Sequence, residues 1–143
     1  MPNVPKTAVL SMRLGADAHE RLEKRGRDSG GKSALGLRYI EEGLRSDEHP
    51  GIVFRPGPAG RRPGLAAGPD VWEIIQTLKN VTARGHDAVG ATATWLGLET
   101  SQVEVAVGYY ADYRVDIDEW IERVQREAAE AEEAWRRRRQ TLA

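Results

Sequence analysis

The chain has 143 residues, 40% of them apolar and 30% charged, with no cysteine and a net charge of −1. That length suits one ordinary domain or two small ones. No apolar run approaches the roughly 18 residues a membrane-spanning helix needs, and the opening MPNVPKTAVLSMRL lacks the apolar stretch of a secretory leader, so a soluble, cytoplasmic protein is expected. The absence of cysteine excludes disulfides, thiolate metal sites and cysteine nucleophiles. Charge is unevenly placed: residues 1–46 carry +3, 47–98 are neutral, 99–135 carry −8, and Arg136 to Arg139 add +4. Such blocks imply separate surfaces with different partners.

From Thr7 to Leu14, Ala8, Leu10, Met12 and Leu14 alternate with Thr7, Val9, Ser11 and Arg13, the period of a half-buried strand. Asp17 and Glu20 then have the spacing of a capping box, and Ala18, Leu22 and Gly26 share one helical face. Gly30-Gly31 predicts a break, and a second helix from about Ser33 sets Leu37, Ile40 and Leu44 on one stripe. A unit of about 40 residues with one strand and two short helices lacks the buried area to fold alone. An obligate homodimer is expected.

The stretch 48–69 holds five prolines and five glycines among its 22 positions, a linker composition, with a short hairpin pairing Ile52-Val53-Phe54 to the region of Leu65. Residues 70–122 predict three helices. The first is capped by Asp70 and carries Val71, Ile74, Ile75 and Leu78. The second runs from Asp87 through Trp95 to Gly97. The third opens at Thr100, turns Val103, Val107, Tyr110 and Tyr113 inward, and extends toward Trp120 and Ile121. Three helices with a glycine-containing turn form a helix-turn-helix-like pattern. Trp72, Trp95, Trp120, Tyr109, Tyr110 and Tyr113 read first as packing residues. The tail from Arg123 has strong helix propensity but little to bury. The expected fold is therefore mainly α, with domains at 1–48, 49–122 and 123–143.

Gly26 to Ser33 matches the phosphate-binding loop G-x-x-x-x-G-K-S, but that chemistry needs a buried strand before the loop, and here His19 to Arg25 is charged and helical. A nucleotide-binding protein is accordingly the least favoured reading. The amides at Lys32 to Ala34 instead suit one DNA phosphate, as helix N-termini do. Two copies of Thr7–Leu14 paired antiparallel would make a ribbon of the size the major groove admits, with Arg13 matched to a guanine edge, Ser11 to several bases and Val9 to a thymine methyl. His19, His49 and His86 lack metal-ligand spacing, no serine sits in a nucleophile elbow, and the carboxylates of 112–133 look like a solvated helix face. Neither enzyme activity nor a cofactor or metal is expected.

Across residues 6–46 the strand LSMRL, the helix DAHERLEKRGRDSG and the helix GKSALGLRYIEEGL resemble the ribbon-helix-helix family of Arc/CopG-type repressors and VapB/ParD-like antitoxins. The resemblance implies base contacts from Thr7, Val9, Ser11 and Arg13 and phosphate contacts from Lys32 and Ser33, although Val9 departs from the usual polar triplet. Residues 52–122 resemble a small prokaryotic helical domain that often forms the antitoxin half of pairs with PIN-like ribonuclease toxins. The Gly, Pro and Tyr positions are kept, while Gly68-Pro69-Asp70-Val71 replaces the usual GTRI. Together the resemblances imply an antitoxin that represses its own operator as a dimer and binds a PIN-like toxin. In that reading Trp135 anchors in an apolar pocket and one of Arg136, Arg137, Arg138 and Arg139 neutralises the toxin's acidic cluster. A ribbon-helix-helix regulator without a toxin is the alternative.

Overall fold

The computed structural model describes residues 6–143; Met1 to Pro5, part of the first expected domain, lie outside it. Among the described residues there are six helices and one two-stranded antiparallel sheet, and none of the helices is long and apolar enough to cross a membrane. The chain divides into two compact units, one ending at Glu41 and one running from Glu42 to Ala143. The division falls inside a helix rather than at the expected 48/49 boundary.

In the first unit, Lys6 to Gly15 carries no regular secondary structure. The strand expected over Thr7–Leu14 is therefore not formed. A strand is defined by a hydrogen-bonded neighbour, and among the described residues that segment has none. Helix α1 spans Ala16–Gly26 and begins at Gly15 without a side-chain cap. The expected capping box fails because the helix starts one residue before Asp17, which places both acids inside the first turns. There they pair forward instead, Asp17 with Arg21 at 3.3 Å and Glu20 with Lys24 at 3.1 Å.

The chain reverses over Arg27–Gly31. The N–H groups of Ser29 and Gly31 donate to the Gly26 carbonyl at 3.0 and 2.7 Å, with Gly30 and Gly31 at φ of 81° and 99°, angles that side chains with a Cβ rarely adopt. Helix α2 follows, Lys32–Glu48. It turns Leu35 fully inward and leaves the expected stripe of Leu37, Ile40 and Leu44 exposed.

The second unit opens with the last turns of α2. Strands β1 (Ile52–Arg55) and β2 (Arg62–Leu65) then pair in the register Ile52↔Leu65 and Phe54↔Pro63, which agrees with the expected hairpin. Pro63, which has no N–H to donate, is tolerated because both strands are edges. Four helices complete the unit: α3 (Val71–Asn80), α4 (His86–Leu96), α5 (Thr100–Asp112) and α6 (Arg114–Leu142). Gly97 ends α4 in the left-handed region at φ 68°, and the Leu98 N–H closes back on the Ala93 carbonyl at 2.9 Å, a Schellman-type stop. Tyr113 separates α5 from α6. No break occurs at residue 123, where a separate tail was expected; α6 runs straight through it.

The core gathers Ile52 and Leu65 of the hairpin, Val71, Ile74 and Ile75 of α3, Val103, Ala106 and Tyr109 of α5, and Ile117 and Ile121 of α6. Two expectations are corrected. On α5 the deepest stripe is 103, 106 and 109, while Val107 and Tyr110 are only half-buried, because the helix turns its i, i+3 edge into the core it shares with α3, α4 and the hairpin. Trp95 is 80% exposed rather than packed, lying on the outer side of α4 from the buried Thr92 and Ala93.

The hairpin is fixed to α3 by ions. Asp70, 7% exposed, accepts from Arg55 Nη1 at 2.9 Å on one oxygen and from Arg62 Nε on the other. Arg55 also donates to the carbonyls of Leu65 and Gly68, and the Asp70 amide donates to Glu73 at 3.0 Å, closing the start of α3. A buried carboxylate with two guanidiniums is costly to break. Asp70→Ala should destabilise the chain by about 3 kcal/mol in urea unfolding, and Asp70→Asn, which retains a capping side chain, by clearly less. Equal midpoints for wild type and Asp70→Ala would show the cluster to be inert.

Candidate nucleic-acid interface

Thr7, Val9, Ser11 and Arg13, the four residues expected to contact bases, are all exposed. Their apolar neighbours behave differently along the segment. Met12 and Leu14 line a groove with Ala18 and Leu22 of α1 and Tyr39 and Ile40 of α2. Of the alternating apolar residues only the last two, Met12 and Leu14, reach the helices, and both remain exposed. The groove stays unfilled: Leu10, Met12, Leu37, Tyr39 and Ile40 are exposed. The exposed apolar residues thus form one continuous surface on this small unit.

The turn beneath it depends on close backbone approach. A Cβ on Gly26 would lie 2.7 Å from the Lys32 nitrogen and 2.8 Å from the Gly31 carbonyl carbon, so only glycine lets the end of α1 meet the start of α2. Gly26, read from sequence as one position of a helical face, is a packing requirement.

Lys32 and Ser33 begin α2. Both are exposed, but the Lys32 ammonium does not stand free. It donates to Glu23 Oε1 at 3.2 Å and lies 3.4 Å from His19 Nε2. The lysine in turn holds the Glu23 carboxyl below its ordinary range. Glu23 was not foreseen as part of this site; it lies nine residues upstream, and only the reversal at Gly30-Gly31 brings it to Lys32. No periodicity announces such a contact. The loop matching a phosphate-binding pattern follows a helix, α1, and not a strand.

Trp135 and Arg136 to Arg139, expected to contact a toxin, lie on the exposed part of α6 in the second unit. Arg139 is stacked 4.7 Å over the Trp135 ring, while Arg136 and Arg137 pair back to Glu132 and Glu133 at 2.5 and 3.1 Å. Elsewhere in that unit His49 sits between the rings of Tyr109 and Tyr113, 2.9 Å from Asp112. Arg45 donates to the Tyr109 hydroxyl and to Asp116 at 3.0 and 3.1 Å. These contacts join the start of the unit to α5 and α6. Among the described residues no group of three or more His, Asp or Glu side chains is placed to hold a metal ion.

Comparison with protein-family models, with curated proteins and with solved structures gives no match.

Gly26→Ala should cost about 1–3 kcal/mol through the forced separation of the two helices, read as a lower urea midpoint. An unchanged midpoint would mean that the turn relaxes freely.

Proposed function

We propose that the protein is a dimeric, sequence-specific DNA-binding repressor whose second unit binds a protein partner, in the manner of an antitoxin that regulates its own operator. One observation carries the DNA-binding half. Among the described residues the Thr7–Leu14 segment has no sheet neighbour, its Met12 and Leu14 line the groove over α1 and α2 while remaining exposed, and Ser11 and Arg13 are exposed as well. An extended segment with one apolar and one polar edge gains most by pairing with another copy of itself. The resulting ribbon would cover Leu10 and Met12 and present Ser11 and Arg13 to a major groove that accepts two strands. Thr7 and Val9 would lie further out on the same edge.

The amide end of α2 supports backbone binding, since helix N-termini favour anions. Ser33 adds a hydroxyl there. Lys32 is close by, and its pair with Glu23 is exposed to solvent, a kind of ion pair that holds its partners weakly, so a phosphate can displace the carboxylate. The protein-binding half rests on α6. Trp135 is 54% exposed beside four consecutive arginines, a combination of aromatic anchor and bidentate donors suited to a partner with an acidic pocket, such as a PIN-like ribonuclease.

The test is a DNA selection followed by titration. Arg13→Ala should lose about 1–3 kcal/mol of discrimination at one base pair per half-site, whereas Lys32→Ala should weaken all sequences alike and lower the salt slope by roughly 0.9. Glu23→Gln should move the other way, strengthening binding to every sequence. Selection of no consensus, or operator affinity indifferent to Arg13→Ala, would remove the ribbon from the mechanism.

A further inference from the structure

His19 and Glu23 lie four residues apart on α1, so their side chains leave the same face of the helix one turn apart. The reversal at Gly30-Gly31 brings the first residue of α2 over that face. The Lys32 ammonium is 3.2 Å from Glu23 Oε1 and 3.4 Å from His19 Nε2. All three side chains are exposed, so what joins them is charge and hydrogen bonding rather than packing. The other charges close by are engaged or face the same carboxylate. Asp17 pairs with Arg21 at 3.3 Å and Glu20 with Lys24 at 3.1 Å. Lys32 first, then His19 and Arg27, hold the Glu23 carboxyl below its ordinary range. Glu23 is therefore a carboxylate throughout the span in which imidazoles exchange their proton, about pH 5 to 8.

The two states of the ring make opposite demands on Lys32. A bare Nε2 accepts one ammonium N–H, and the lysine then bridges His19 and Glu23. A protonated ring is donor-only. It has no lone pair for the lysine, it sets a second cation beside the ammonium, and it competes for Glu23 at the i, i+4 spacing where opposite charges attract on a helix.

We infer that His19 is a proton-operated latch on Lys32: neutral, it helps Glu23 hold the ammonium; protonated, it occupies Glu23 itself and releases Lys32 toward a DNA phosphate at the start of α2. The inference rests on the proposed reading of Lys32 as a phosphate contact and adds the regulation of that contact. His19 acts through Lys32 and is a positioning residue. The sign is fixed by the order of events. Acidification frees Lys32, so affinity for DNA rises as pH falls through the imidazole range.

The test has one arm without DNA and one with it, both on the full-length protein. Without DNA, NMR signals of the Lys32 ammonium and the Glu23 carboxyl should report their contact weakening between about pH 8 and pH 6 in the wild type and persisting in His19→Gln. With a mixed-sequence duplex at fixed salt, wild-type affinity should rise about twofold to fivefold over the same interval, the scale on which exposed ion pairs compete. That gain should shrink in His19→Gln, which takes up no proton. It should shrink in Glu23→Gln, where Lys32 is already free at the higher pH, and in Lys32→Ala, where nothing is left to release. His19→Arg should bind at the higher pH as the wild type does at the lower. A pH response equal in wild type and His19→Gln overturns the inference, as does one that survives Lys32→Ala, which would put His19 on the phosphate directly. If no duplex binds at either pH, the reading of the site as a DNA contact fails separately, and the NMR arm decides the latch: a Lys32–Glu23 contact indifferent to pH overturns it.

Discussion

A unit that ends at Glu41 and holds two short helices cannot cover its own apolar side chains, and most of what is proposed for this protein follows from that shortage. Leu35 is enclosed, but Leu10, Met12, Leu14, Leu37, Tyr39 and Ile40 stay in contact with water, Met12 and Leu14 only lining the groove over the helices. At roughly 25 cal/mol per Å² of apolar surface, leaving such a face wet is expensive for a domain of marginal stability. In the proposed dimer, association covers it. The segment that would do the associating also carries the exposed Arg13 and Ser11, so burial and recognition would be accomplished by opposite edges of the same eight residues.

The second unit solves the problem internally. Its hairpin contributes Ile52 and Leu65 to a core closed by α3, α4, α5 and α6, and Asp70 holds hairpin and helix together through Arg55 and Arg62. The segment between Glu48 and Pro69, whose proline and glycine content reads as a linker, is in this way drawn into the structure. Arg45, Glu42 and Glu48 at the end of α2 add contacts to Tyr109, Arg61 and Tyr113, so the approach to the hairpin is pinned on two sides.

What the sequence disclosed was mostly what is local. Gly30-Gly31 and Gly97 marked turns because their positive φ is a single-residue property, and the period of α3 placed Val71, Ile74 and Ile75 correctly because its apolar face is continuous. The failures involve competing local choices or distant partners. Asp17 and Glu20 had the right spacing for a cap but also for forward pairs with Arg21 and Lys24, and the helix began early enough to take the latter. On α5 two apolar stripes overlap, and only the positions of α3, α4 and the hairpin around it decide that Tyr109 and not Tyr110 is enclosed. Tryptophan is usually packed, which misplaced Trp95. Glu23 and Lys32 meet through a chain reversal, and the two arginines on Asp70 come from 15 and 8 residues away; spacing alone carries no trace of either.

Three of the four consecutive arginines on α6 are engaged within the helix itself. Arg136 and Arg137 pair back to Glu132 and Glu133, and Arg139 lies over the Trp135 ring. Anything that recruits these guanidiniums must first release them, so its attraction is offset by the contacts it displaces. The cluster therefore exposes less free positive charge than four arginines in a row would suggest.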